Sequence, residues 1–343
     1  MSTDKSNESW PLLAEKGRER IARYQPQDRP YDEILKPSLD AFIEWLPRGG
    51  RESIARDIVR ANTDDDLYQV FANLFRGLAV PSKYKILNTG LDITKQSLGA
   101  VTTQSKPPAD TDSETIAGIL HPPRSPFHSL CLRRDSNKCV ITGEMDTDYW
   151  ESIGCPEDTY FAPTEGAHII PFSYASWDNS TNLPHDRARA WEVLYRCFPE
   201  VRRAGLSGDT INDTSNGLTL RESLYYEFGK FNLALKPTAV EHKYEVKYFR
   251  NYPRSDRELL PESIELKKVE DAQELALPNC IFLDCHYRLA EILNASGMGV
   301  TIQRNVDKWK HLKVSAYNLE IREDGGTHIE KFLRAGLWQH IMR

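Results

Sequence analysis

The chain has 343 residues, of which 40% are hydrophobic and 27% charged, and a formal net charge of −6. That length buries a substantial core, as one large domain or two ordinary ones. The negative balance excludes a protein that coats nucleic acid through bulk electrostatics, because such binding rests on Lys and Arg neutralising phosphates. No apolar run approaches membrane-spanning length, and the polar start Met-Ser-Thr-Asp-Lys-Ser-Asn-Glu is unlike a signal peptide. The expected location is therefore intracellular, cytoplasmic or nuclear, with no membrane partner. The six cysteines, none of them in a Cys-x-x-Cys pair, are then reduced thiols rather than a disulfide framework.

Residues 1–80 read as a helical N-terminal region. Leu12, Leu13, Ile21 and Ala22 make one apolar stripe, and Ile34, Leu35, Leu39, Phe42, Ile43 and Leu46 make a second, which Pro47 and the Gly49-Gly50 pair should end. Asn62-Thr63-Asp64 caps a third, with Leu67, Val70, Phe71, Leu74, Phe75 and Leu78 on one face. Residues 81–124 carry Pro81, Gly90, Gly99 and a Thr-Thr-Gln-Ser-Lys-Pro-Pro run without periodicity, and read as a linker, mobile in part, with His121 at the surface. A short helix around Ser125–Arg134 leads into the central domain, 125–252.

That domain holds the residues with chemistry. Arg134-Asp135 ends the helix, and Cys139-Val140-Ile141-Thr142-Gly143 reads as a short strand that stops at the glycine. The run 166–173, Gly-Ala-His-Ile-Ile-Pro-Phe-Ser, reads as another strand, carrying His168 and halted by Pro171. Asn216-Gly217 is a turn that opens a helix through Leu218–Phe228. Two strands and a helix then bring His168 and Asn216 together, enough for a small hydrolytic site. A helical insertion, 175–210, lies between, with Trp191, Leu194, Tyr195 and Phe198 at helical spacing and His185 in the loop before it. Its arginines, Arg187, Arg189, Arg196, Arg202 and Arg203, alternate with Asp186, Glu192 and Glu200 and read as a solvated face.

Beyond it, Lys230–Lys236 and Tyr244–Arg250 read as strands and Pro261–Glu274 as loop or solvated helix. The remainder, 253–343, reads as a helix from Leu277-Pro278 to Asn294-Ala-Ser-Gly297 and a β-hairpin over 318–332, packing on the central domain. Cys280, Cys285 and His286 invite a metal reading, but their spacing does not put them on one helical face as zinc ligands require, so core packing is the better account.

Three blocks, Arg134-Asp135 with Cys139–Gly143, Ala167-His168-Ile-Ile-Pro171-Phe-Ser173, and Asn216-Gly-Leu-Thr-Leu220 opening a helix that ends Phe228-Gly229, resemble the HNH endonuclease family, in the variety found in many fungal proteins. The resemblance covers this stretch and the 277–297 helix. It implies an α+β fold, with a central ββα-metal motif embedded in a mostly helical chain and one divalent cation, Mg or Zn. By the same resemblance His168 matches the general base and Asn216 the residue that fixes the turn orienting it. Imidazole supplies a base near pH 7, and a cation neutralises charge on the phosphoryl and leaving oxygens.

Two positions depart from the family. Tyr225 falls where its last metal-ligating histidine stands, and Ala167 where many better-known members carry an acidic or histidine ligand, although alanine is common there in the fungal type. Glu165 and Asp213 are the nearby carboxylates that could substitute as ligands, whereas Glu222 and Glu227 read as a solvated helix face. The expected function is a metal-dependent phosphodiester hydrolase acting on DNA with a degenerate metal site. The alternatives are a repurposed scaffold of small-molecule, fungal secondary metabolism, using His168 and Tyr225 as an acid–base pair, or a non-catalytic interaction module.

Overall fold

In the computed structural model, residues 9–83, 124–176, 184–305 and 307 are described. The apolar stripes at its N-terminal end become helices α1 (Trp10–Arg23), α2 (Asp32–Trp45) and α4 (Asp64–Leu74), the last opened by a capping box between Thr63 and Asp66. Between α2 and α4 lies α3 (Arg48–Arg60), with Ile54, Ala55 and Ile58 buried. Gly49 and Gly50 therefore sit inside a helix instead of only stopping one. The reason is packing: a Cβ on Gly50 would stand 1.9 Å from the carbonyl oxygen of Cys197. Glycine is what lets the two backbones touch.

Helix α4 continues through a π-helical turn, Phe75–Ala79, into Val80–Lys83, so residues 81–83 are helical rather than linker. Pro81 brings no N–H to the ladder, and the wide turn just before it, in which the Val80 N–H reaches Phe75 O, shifts the bonding pattern where that donor is missing. The rest of the expected linker up to residue 123, His121 with it, and the expected hairpin over 318–332 lie outside the described residues.

The chain resumes with α5 (Pro126–Arg134), then β1 (Met145–Asp146), α6 (Thr147–Ser152) and β2 (Phe161–Ala162), the two strands pairing in parallel. Cys139–Gly143 forms a turn instead of a strand: Gly143 N donates to Cys139 O at 2.9 Å and Gly143 takes φ +74°. The second strand of the central motif lies elsewhere. β3 (Thr164–His168) pairs antiparallel with β4 (Gly217–Arg221), with α7 (Ser173–Ser176), α8 (Pro184–Cys197) and α9 (Pro199–Arg203) in between. The run after Asn216, expected to be helical from Leu218, is strand to Arg221 and only then helix α10 (Glu222–Gly229). Leu218, Thr219 and Leu220 are all buried, so a strand covered on both faces mimics an apolar helix stripe.

The fold is α+β, with β3, β4 and α10 forming the ββα unit. A three-stranded antiparallel sheet follows: β5 (Leu233–Pro237), β6 (Lys243–Tyr248) and β7 (Ser263–Glu265), where β7 falls in the segment expected to be loop or helix and β5 begins three residues later than expected. Helix α11 (Cys280–Ser296), capped by Asn279 and ended by Gly297 at φ +76°, packs on both α2 and β5. One continuous core joins the N-terminal helices, the ββα unit, α8, the three-stranded sheet and α11. No described helix is long and apolar enough to cross a membrane.

The close approach of α3 to the end of α8 is testable. Gly50→Ala should cost about 3 kcal/mol, the upper part of the overpacking range, measured as a shift in urea unfolding at constant slope. An unchanged midpoint would show that the two backbones separate freely.

Candidate functional site

The site is built on an arginine. Arg134, only 1% exposed, uses all five of its N–H groups: Nε and Nη2 grip the Asp135 carboxylate at 2.8 and 2.7 Å, Nη2 also reaches Gly217 O at 3.0 Å, and Nη1 reaches Thr214 O at 2.5 Å and Ala276 O at 3.5 Å. Asp135 Oδ2 in turn accepts from Thr219 N at 2.9 Å. The end of α5 is thereby fastened to the start of β4 and to the 3-10 turn Thr214–Asn216 before it.

Asn216, fully buried, does the matching work on β3. Its Oδ1 accepts from Ile170 N at 2.8 Å, while Nδ2 donates to Ile170 O at 3.0 Å and Ile211 O at 2.9 Å. Its own carbonyl accepts from Ile169 N at 2.9 Å. These bonds hold the two residues that follow His168. Asn216 is thus a backbone clamp, and its side chain is spent on that task.

Cross-strand register decides what each residue faces. His168 lies opposite Gly217, and Ala167 opposite Leu218. Directly opposed side chains share a face and neighbours alternate, so Gly166, His168 and Gly217 point to one side, and Glu165, Ala167 and Leu218 to the other. Helix α5 covers the first side closely: a Cβ on Gly217 would meet Cys131 Sγ at 2.5 Å, and one on Gly166 the His128 Cα at 2.9 Å. There the His168 ring stacks on Phe127, centroids 3.9 Å apart, and its Nε2 lies 2.9 Å from Asn212 Oδ1. His128 is pushed down to about 4 by burial and by the Arg124 guanidinium.

On the other side α10 packs against β3 and places Tyr225 beside Ala167. Burial raises the Tyr225 phenol far above its usual range, with Glu165 and then Tyr226 adding to the effect, so it stays protonated. His168, Ala167 and Tyr225 all line one cleft of about 510 Å³, partly open to solvent, together with Tyr226, Phe228 and His286.

A divalent cation does not fit the donors present. Ala167 offers none, Tyr225 offers a protonated phenol, and the Asn216 amide is fully engaged. Glu165 and Asp213 are both exposed. Glu165 sits on the Tyr225 side of β3, and Asp213 precedes the turn next to the partner of His168. Among the described residues no three His, Cys, Asp or Glu side chains come together to hold a metal ion. Cys280 is exposed while Cys285 and His286 are buried, which separates the C-terminal cysteine–histidine group as well.

Asn212 and Phe127 did not stand out in the sequence as site residues, and His286 stood out only as a possible metal ligand, set aside for core packing. Asn212 and Phe127 touch the imidazole only through tertiary contact. His286 carried a signal: it falls on the buried stripe of α11 with Phe282, Leu283, Cys285 and Leu289, where a polar ring needs a reason.

The family model described as HNH endonuclease matches residues 139–236. No curated protein and no solved structure matches the chain.

Asn216→Ala should destabilise the protein by about 3 kcal/mol, since it strips buried partners from Ile170 and Ile211, and should broaden the His168 ring signals in NMR. A change under a third of that in urea unfolding would deny the clamp its role. A pH effect follows from His286, which burial holds down to about 3. Between that value and the ordinary 6.5 the unfolded chain binds the extra proton, so stability is full above about pH 6.5 and falls on acidification by up to about 1.4 kcal/mol per pH unit. Urea unfolding at pH 7 and pH 5 reads that slope together with a like one from His128, held down to about 4, so His286→Phe should reduce the total by about half.

Proposed function

We propose, on the premise that residues 139–236 belong to the HNH endonuclease family, that this chain is a nuclease-derived protein. Its ββα unit still presents a site for a nucleic-acid phosphodiester and has lost efficient cleavage. The observation that carries the reading is the pairing of an intact base position with vacated ligand positions. His168 is held at the end of β3 by the Asn216 clamp, while Ala167 and Tyr225 stand together on the other face.

The chemistry follows from the donors. With Asn212 Oδ1 accepting, Nε2 carries the hydrogen and Nδ1 the lone pair, the tautomer a general base needs. Nδ1 is enclosed in this arrangement, so the ring has to swing off Phe127 before it can take a proton from water. Phosphodiester hydrolysis also needs positive charge against the phosphoryl and leaving oxygens. Among the described residues no Lys or Arg lines the cleft, and the protonated Tyr225 phenol brings no charge there. Binding without efficient turnover is the outcome of such a set.

The test uses the full chain with supercoiled and short linear DNA in Mg²⁺, Mn²⁺ or Zn²⁺. The double variant Ala167→Asp/Tyr225→His should bind the metal in calorimetry and cut at least about a hundredfold faster than the native protein, and adding His168→Ala should remove that gain. Native cleavage at full rate that survives His168→Ala would overturn the reading, as would a folded double variant that binds neither metal nor DNA.

A further inference from the structure

One polar atom of a cleft-lining residue, Nδ1 of His286, is used neither by the fold nor by the proposed chemistry. His286 is 2% exposed and stacks on Phe228, centroids 3.7 Å apart and planes 3° from parallel, and on Phe231 at 4.5 Å and 17°. Two phenyl rings so close and so nearly parallel cannot share one face of an imidazole. They cover both faces and leave only its edge. On that edge Nε2 lies 3.2 Å from Phe228 O, and a carbonyl can only accept, so Nε2 carries the hydrogen and Nδ1 the lone pair. Nδ1 is buried and has no partner among the described residues. An acceptor left in that state costs stability unless something meets it.

His286 lines the cleft together with Tyr225 and Tyr226, whose rings meet edge-on at 5.6 Å and 72°. Tyr226 is 42% exposed and offers its ring to anything entering. Ala167, Ile169 and Pro171 make much of the remaining wall apolar, and Ser82 and His168 complete it. A slot with mostly aromatic and apolar walls and a fixed acceptor suits a flat heterocycle that carries an N–H. His168 stands at the same cleft, which puts that slot next to the phosphodiester site.

We propose that the cleft receives one unstacked nucleobase, its ring against Tyr225 and Tyr226 and an N–H of the base donating to His286 Nδ1. For its source the proposal rests on the nucleic-acid reading above: a strand passing His168 delivers the base, and duplex DNA, whose bases stay paired, delivers it poorly. A free nucleoside brings the same chemistry.

Thymine has a single base N–H, at N3, so methylating N3 removes the only donor. Fluorescence anisotropy of the full chain with labelled oligothymidylate should show binding about tenfold tighter than to the same strand carrying N3-methylthymine. The ratio should fall to near one in His286→Phe, which keeps the stacked ring and removes the acceptor, with folding checked by circular dichroism. Should that variant fail to fold, Tyr226→Ala should weaken both strands severalfold. Equal binding of both strands to the native protein overturns the base slot and leaves the nucleic-acid reading standing. Calorimetry with thymidine and N3-methylthymidine forms the second arm. If thymidine binds with the same N3 dependence while no strand binds, the slot stands and the nucleic-acid reading falls. If neither strand nor nucleoside binds, the slot is overturned.

Discussion

The buried guanidinium of Arg134 is the constraint on which the site depends. A charge almost sealed from water is tolerable only when every donor is answered, and here a carboxylate and three carbonyls answer all of them. Because the carbonyls belong to Thr214, Gly217 and Ala276, one side chain joins the turn before β4, the strand itself and the approach to α11. Asp135 completes the link through Thr219 N. Removing either partner would leave its neighbour charged and unanswered, so the pair works as one unit.

Given that frame, the two faces of the β3–β4 ribbon acquire separate tasks. The face under α5 is so tightly covered that glycine is needed at 166 and 217, and there the imidazole of His168 lies flat on Phe127. The face under α10 carries Ala167, and Tyr225 lines the same cleft. The two faces therefore differ in what covers them, although His168, at the end of β3, reaches the cleft that Ala167 and Tyr225 line.

Much of this was legible in the sequence. The N-terminal helices followed from their apolar spacing, Thr63 announced a helix start, and the His168 and Asn216 blocks pointed to a ββα unit before any coordinates. What stayed hidden has physical causes. Helix α3 was masked by Gly49-Gly50, which tertiary contact with Cys197 demands and local propensity disfavours. Strand β4 passed for the first turns of a helix because burial on both faces erased its alternation. Cys139–Gly143 passed for a strand because its β-branched residues face the core from a turn, with Ile141 buried and Val140 N bonded to Thr219 O at 3.0 Å. The environment of His168 could not be read at all, since Phe127 and Asn212 stand far from it along the chain.

The contact between Gly50 and Cys197 reaches further than a local fit. It ties α3 to α8, and through α8 to the loop that carries Asn212 and the Asn216 turn. Arg288, on α11, closes the circuit from the other side by donating to Trp45 O at 3.0 Å. The segment that bears the family pattern is therefore not a detachable module. Cut out at 139–236, it would lose α5 with Phe127 and Arg134, the helices that α8 leans on, and the His286 wall of its cleft. In this chain the nuclease-like motif is the middle of a larger cooperative body, and its chemistry is inherited together with the scaffold around it.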